Sequence, residues 1–502
     1  MASETHLGTA EDLEPGVVWK LFAGIAAVPR PSKKEERVRA HVRAVAEEHG
    51  LTVRQDSIGN LLVDVPATPG CESAPITVLQ AHLDMVCEKN AGVTHDFDRD
   101  PIRLILDKDP AGEQIVRADA TTLGADNGMG VAMALAVAFS SDATHGPLEL
   151  LFTIDEEAGM SGAKAVTPEF FHGRRLLNLD SEEDDILCIG CAGGCDTTLA
   201  WTCTGSPIDK GAEVFRVVVD GLRGGHSGCD IHENRGSAIK LLVRTLLGID
   251  SAGLRLVSLD GGSLRNAIPR EATAVVAGQV GLADTLRQAA QQVQEEACRE
   301  SAEQGLSIRV EPVTNETSVV AMSRTDTGCL LSTLAALPHG VLGMHPSVPG
   351  LVQTSNNLAT VRVAPGESSP TLDIHVGTLS RSSSASLLRV TLAQIASVGR
   401  LAGARIETAN GYPGWEPNLD SPVLGTCRRV YETVMGEPPK VAAIHAGLEC
   451  GIIGERVSGM DMVSLGPRIE GAHSPDERVW VASVQKSWKY LLAILAELST
   501  SD

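Results

Sequence analysis

Three short apolar runs, each ending in polar or charged groups, constrain this chain more than any other feature. Ile76–Leu79 leads to His82, Leu148–Ile154 to Asp155-Glu156-Glu157, and Leu176–Leu179 to Asp180. Runs of this length bounded by polar clusters predict buried strands. Between the first two lies Met129–Phe139, alanine-rich, apolar and of helical length. The order strand, helix, strand predicts an α/β fold, with a mixed sheet and helices on both faces. Upstream, Val17, Val18, Leu21 and Ile25, then Val38, Val42 and Val45, are spaced for helical faces that would cover the sheet.

At 502 residues with 43% apolar composition, the chain exceeds what one core usually serves. The texture changes near residue 190. Alternation in Glu213–Val219, helices at Ala238–Ile249 and Thr285–Gln304, a strand at Thr371–Gly377 and a helix at Ala385–Val398 predict an inserted α+β domain. After it the first pattern returns, with Val441–Ile444 before His445, Met462–Leu465 before the loop of His473, and a closing helix at Val481–Leu498. The expected organisation is 1–190 and 401–502 as one domain, interrupted by 191–400.

Forty-two basic against sixty-four acidic residues give a net charge of -22, which repels a phosphate backbone and excludes nucleic acid as a partner. No uncharged apolar run of membrane-spanning length occurs, and the first thirty residues lack a basic region followed by an apolar one, so a cytoplasmic, membrane-free protein is expected. The eleven cysteines lack the spacing of a small disulfide framework. Cys188, Cys191 and Cys195 find no second pair at zinc-finger spacing, so they read as core cysteines.

The chemistry gathers at the strand ends. His82 and Asp84 are two apart, so on a strand end they leave the same face, where Asp84 would fix the imidazole ring; a satisfied strand-end histidine is the plainer reading. Asp126, in Leu123-Gly124-Ala125-Asp126-Asn127-Gly128, either caps the following helix or reaches the mouth of the sheet, where α/β folds bind ligands. Three adjacent acids at Asp155-Glu156-Glu157 repel one another unless cations or protons compensate. In such a pair of glutamates one can coordinate a metal while the other handles a proton. Asp180 ends the next run, and His473 sits in Gly471-Ala472-His473-Ser474-Pro475.

In order, His82-Leu83-Asp84, Gly124-Ala125-Asp126-Asn127-Gly128, Glu156-Glu157-Ala158-Gly159, Asn178-Leu179-Asp180-Ser181-Glu182 and Gly471-Ala472-His473-Ser474-Pro475 resemble motifs of the co-catalytic zinc aminoacylase and peptidase family. The resemblance spans nearly the whole chain and is nearest to the family's dipeptidases. It implies two divalent metal ions per chain, zinc or else cobalt or manganese. One would be held by His82, Asp126 and Asp180, the other by Asp126, Glu157 and His473, with Asp126 bridging. By the same resemblance Glu156 is the general base, Asp84 orients His82, and the peptide between Asp126 and Asn127 is cis. The insert becomes a lid and dimerisation domain of a homodimer. There His226, in Gly224-Gly225-His226-Ser227-Gly228, resembles the lid histidine that reaches into the partner subunit's active site and steadies the oxyanion, the alternative being a histidine in a surface turn, while Asn266 and Arg381 match substrate-binding positions. Arginine suits a two-pronged grip on a carboxylate. Glu449, in the stretch His445–Gly451, either meets a substrate ammonium group or is a buried structural acid.

The expected reaction is hydrolysis of unblocked dipeptides, with histidine at the second position among the candidates. Asp180 favours a peptidase over the family's deacylases, which more often carry glutamate there. The alternatives are an N-acyl amino acid deacylase, a tripeptide aminopeptidase, or an inactive binding scaffold.

Overall fold

The computed structural model describes residues 13–249, 253–301, 303–313, 320–366 and 370–500. The leader-free reading of the first thirty residues therefore lies partly outside the described residues. The chain divides into two compact units: Met1–Gly190 with Pro417–Ala443 and Glu449–Asp502, and Cys191–Glu416 with Ile444–Leu448.

The first unit is built on a mixed sheet ordered Thr52–Gln55, Leu61–Val65, Leu148–Thr153, Thr77–His82, Arg175–Asn178, Asp461–Ser464, Ile186–Cys191, Lys440–Ile444. The four strands from Leu148–Thr153 to Asp461–Ser464 run parallel. Thr77–His82 and Leu148–Thr153 are buried along their whole length, as central parallel strands must be, which explains their nearly unbroken apolar runs. The helix Ala125–Phe139 is buried almost all round, so its alanines and valines follow no single apolar stripe. Its first turn is irregular: Asp126 and Asn127 have non-helical φ/ψ and the peptide between them is cis. Gly16–Ala26 packs on this helix, and Pro422–Met435 packs on the closing helix Val481–Ser499. A smaller sheet orders Ile469–Glu470, Arg478–Trp480, Gln114–Ala118 and Leu104–Lys108.

The second unit holds a nine-stranded sheet among the described residues. Its longest strands are Gly193–Thr204, Val352–Pro365 and Thr371–Ser382. The helices Ala238–Leu247, Leu282–Glu300 and Ala385–Leu401 accompany it, and residue 302, within the helix expected to reach Gln304, lies outside the described residues. The second junction falls at Pro417 and not at residue 401. The strand Arg405–Tyr412 pairs along Gly193–Thr204, and that pairing ties it to the second sheet. The segment Ile444–Leu448 also belongs to this unit. Among the described residues no helix is long and apolar enough to cross a membrane.

Candidate metal centre

Parallel strands end together, so whatever follows each strand meets its neighbours at one edge of the sheet. Thr77–His82 pairs with Leu148–Thr153 on one side and Arg175–Asn178 on the other, which places His82, the acids after Thr153 and Asp180 side by side. Asp126 arrives from the start of the helix Ala125–Phe139, which precedes Leu148–Thr153 along the chain. His473 arrives from the turn between Ile469–Glu470 and Arg478–Trp480.

The geometry divides around Asp126. Its Oδ1 lies 3.0 Å from His82 Nε2, and that nitrogen is 3.3 Å from Asp180 Oδ1. Its Oδ2 lies 3.3 Å from His473 Nε2, which is 3.0 Å from Glu157 Oε2. One carboxylate thus faces two imidazole–carboxylate pairs. Donor atoms of His82, Asp126 and Glu157 fall within 4.8 Å of one another. Glu157 Oε1 is buried without a hydrogen-bond partner. Imidazole nitrogens with carboxylate oxygens are the donor set of zinc and similar divalent ions, and a buried carboxylate oxygen without a partner beside such a cluster fits a cation.

Asp84, fully buried, serves two loops at once. Its Oδ1 lies 3.4 Å from His82 Nδ1, and its carboxylate accepts from the backbone N–H groups of Glu156 and Glu157 and from Ser32 Oγ. Asp155 separates from its two neighbours. It is buried in a left-handed conformation and accepts from Ser161 Oγ at 2.6 Å, so only Glu156 and Glu157 of the three acids are left for chemistry. Asn127 joins the helix start to the next strand end, donating to Leu179 O and Asp180 Oδ1.

Charge in this cluster is redistributed strongly. Burial pushes the Glu156 carboxyl well above its usual range, and the carboxylates of Asp180, Glu449 and Glu157 add to that. Burial opposes a charge on His82, but the surrounding carboxylates outweigh it and raise the imidazole well above its ordinary value. Hydrogen bonds to Asp126 and Glu157 push His473 up to about 11. Burial and like charges take Asp180 up to about 6. Five acids around two histidines thus attract positive charge, in the form of protons on the imidazoles or of cations.

Beneath the centre, Glu449 is fully buried and accepts on Oε2 from Gln80 Nε2 and Thr153 Oγ1, both at 2.6 Å. Gln80 in turn accepts from Asn178. Gln80 and Thr153 leave only one signal in the sequence, a polar residue inside a buried strand.

The second unit carries its own polar cluster. Arg381 donates to Tyr412 Oη at 2.7 Å and lies 3.5 Å from His226 Nε2. The turn before His226 uses Gly225 at φ 144, where a side chain would collide with the guanidinium of Arg235. Asn266 is exposed, and its backbone carbonyl accepts from Ser227 N at 2.8 Å. Ser355 Oγ meets His445 Nε2 at 2.7 Å. Cys191 and Cys195 are buried in this unit and Cys188 in the first.

Known proteins share this architecture. The chain is 41% identical over 489 residues to the cytosol non-specific dipeptidase of Escherichia coli strain K12, covering 97% of this chain and 98% of that one. The crystal structure of the aminoacylhistidine dipeptidase of Vibrio alginolyticus superposes with a TM-score of 0.87 at 40% identity, covering 98% of each chain. A tripeptidase from Staphylococcus aureus shares the fold at a TM-score of 0.61 and 14% identity, covering 97% of this chain and all of that one. Residues 78–497 match Peptidase family M20/M25/M40 as a whole. With strand ends, helix start and turn all delivering their acids and histidines to one edge of a sheet, the chain belongs to Peptidase family M20/M25/M40.

Proposed function

We propose that this chain is a cytoplasmic dinuclear metallodipeptidase. The observation that carries the reading is the division of Asp126, each of whose oxygens faces a separate imidazole–carboxylate pair. His82, Asp126 and Asp180 would hold one ion, and Asp126, Glu157 and His473 the other. Zinc suits these donors, with cobalt or manganese as substitutes. When bound, the ions supply Lewis acidity to the scissile carbonyl and to the attacking water. Glu156 takes a proton from the attacking water and returns it to the leaving amine. Asp84 keeps the His82 ring and the Glu156–Glu157 backbone in one arrangement. In the second unit, the pairing of Arg381 with His226 and Tyr412 makes an anion-recognising group, assigned to the substrate's C-terminal carboxylate. Asn266, whose backbone carbonyl accepts from Ser227 N, is assigned with it as a substrate contact.

The relatives' names point to unblocked dipeptides, Xaa-His among them. Gly-His and Ala-His should be hydrolysed by the purified chain, with turnover lost on chelation and regained with zinc. Faster turnover of N-acetyl amino acids or of tripeptides would replace this reading with the deacylase or tripeptidase one. A chain that binds two ions and cleaves none of these substrates would be a scaffold.

Association through the second unit into a closed homodimer completes the proposal. Val341, Leu342 and Met344 on the strand Gly340–Met344, and Leu387 and Val390 on the helix Ala385–Leu401, are exposed apolar groups that support it. Light scattering at micromolar concentration should give twice the chain mass. A fully active single chain would refute the assignment.

A further inference from the structure

The loop that carries Asp126 is held by a residue the reaction does not itself require. Glu477 is 2% exposed and lies at the end of the His473 turn. Its Oε2 accepts from the backbone N–H groups of Leu123 and Gly124 at 2.7 and 2.9 Å, and its Oε1 from those of Ala125 and Asp126 at 2.8 and 3.2 Å. Four consecutive amides therefore converge on one carboxylate. On the carbonyl side the buried guanidinium of Arg30 bonds Gly124 O, and it also donates to Leu83 O at 3.0 Å and Asp84 O at 2.7 Å. Gly124 sits at φ 69, and a Cβ there would run into Arg30 and, at 2.8 Å, the sulfur of Met85. The Asp126 loop is thus fastened from both sides, and through Arg30 it is fastened to the His82 loop.

We infer that Glu477 is a positioning residue for Asp126, setting the place of the one carboxylate that serves both ions. The inference rests on the dinuclear reading above. A buried carboxylate is costly unless its lone pairs are used, and here they are used on the backbone of a single ligand-bearing loop. The sequence hides this role, because Glu477 is one acid among sixty-four and its partners lie more than 350 residues away. Glutamine at this position keeps the volume but offers one accepting oxygen, and its NH2 group would face two of the four amides.

The test uses the full chain, with zinc affinity measured by competition against a chelator, kcat and KM measured on Ala-His, and the thermal midpoint of the metal-free protein. Glu477→Gln should weaken both ions by about 10–100-fold, the usual effect of removing an outer partner of a metal site. It should also lower kcat at saturating zinc with KM nearly unchanged. Glu477→Asp, which keeps the charge, should recover part of the affinity. If both zinc affinities and kcat match the unsubstituted chain and only the metal-free midpoint falls, Glu477 is structural and the inference is overturned. Should the glutamine variant not fold, the aspartate variant decides alone: weakened zinc in a folded chain supports the inference, unchanged zinc overturns it. An unsubstituted chain that takes up fewer than two ions overturns the dinuclear reading itself, and the inference with it.

Discussion

Glu156→Gln is expected to lower kcat on Ala-His by about 10²–10⁴-fold, the range a positioned general base contributes, while two ions remain bound. Glutamine preserves the shape of the side chain, and the backbone N–H of Glu156 still meets Asp84 at 3.0 Å. None of the close imidazole–carboxylate contacts around Asp126 involves the Glu156 side chain. The loss should therefore lie in proton transfer and not in metal content. Metal analysis after dialysis, alongside initial rates at saturating substrate, separates the two. A variant with near-normal kcat would remove Glu156 from the role of base. A variant that loses metal as well would make it a ligand.

Asp126→Asn is expected to strip both ions and reduce hydrolysis to background. Asparagine offers one oxygen where aspartate offers two, and its amide nitrogen would be turned toward a metal or an imidazole. Because Oδ1 and Oδ2 face different pairs, no single rotamer of asparagine satisfies both. The affinity loss should exceed the 10–100-fold typical of outer-shell changes. His473→Ala makes the contrast: it removes a group from one pair only, so one ion should remain after dialysis. Retention of two ions in Asp126→Asn would contradict the bridging role, and full occupancy in His473→Ala would contradict the assignment of that histidine.

The convergence of these residues is largely legible in the sequence. His82, Asp126, Glu156, Glu157, Asp180 and His473 each sit beside a local signal, a strand end, a glycine-flanked helix start or a turn, and each of those signals is short-range. The second junction was harder. The strand Arg405–Tyr412 follows the helix Ala385–Leu401 in a way that suits either unit, and only its pairing along Gly193–Thr204 assigns it. Glu449 illustrates the same limit, since its sequence allows a ligand-facing acid, and its burial with Gln80 and Thr153 depends on strands more than 290 residues away.

By itself the sequence determined the alternation of buried strands and helices and the residue types at the strand ends, because apolar periodicity and turn chemistry act over a few neighbours. It thereby determined the kind of chemistry available at one edge of the sheet. Tertiary structure alone decided which of three adjacent acids turned inward at Asp155, and which distant groups, Arg30 and Glu477, hold the Asp126 loop. Those choices rest on hydrogen bonds and charge contacts made across the fold, and such contacts leave no periodic trace along a single chain.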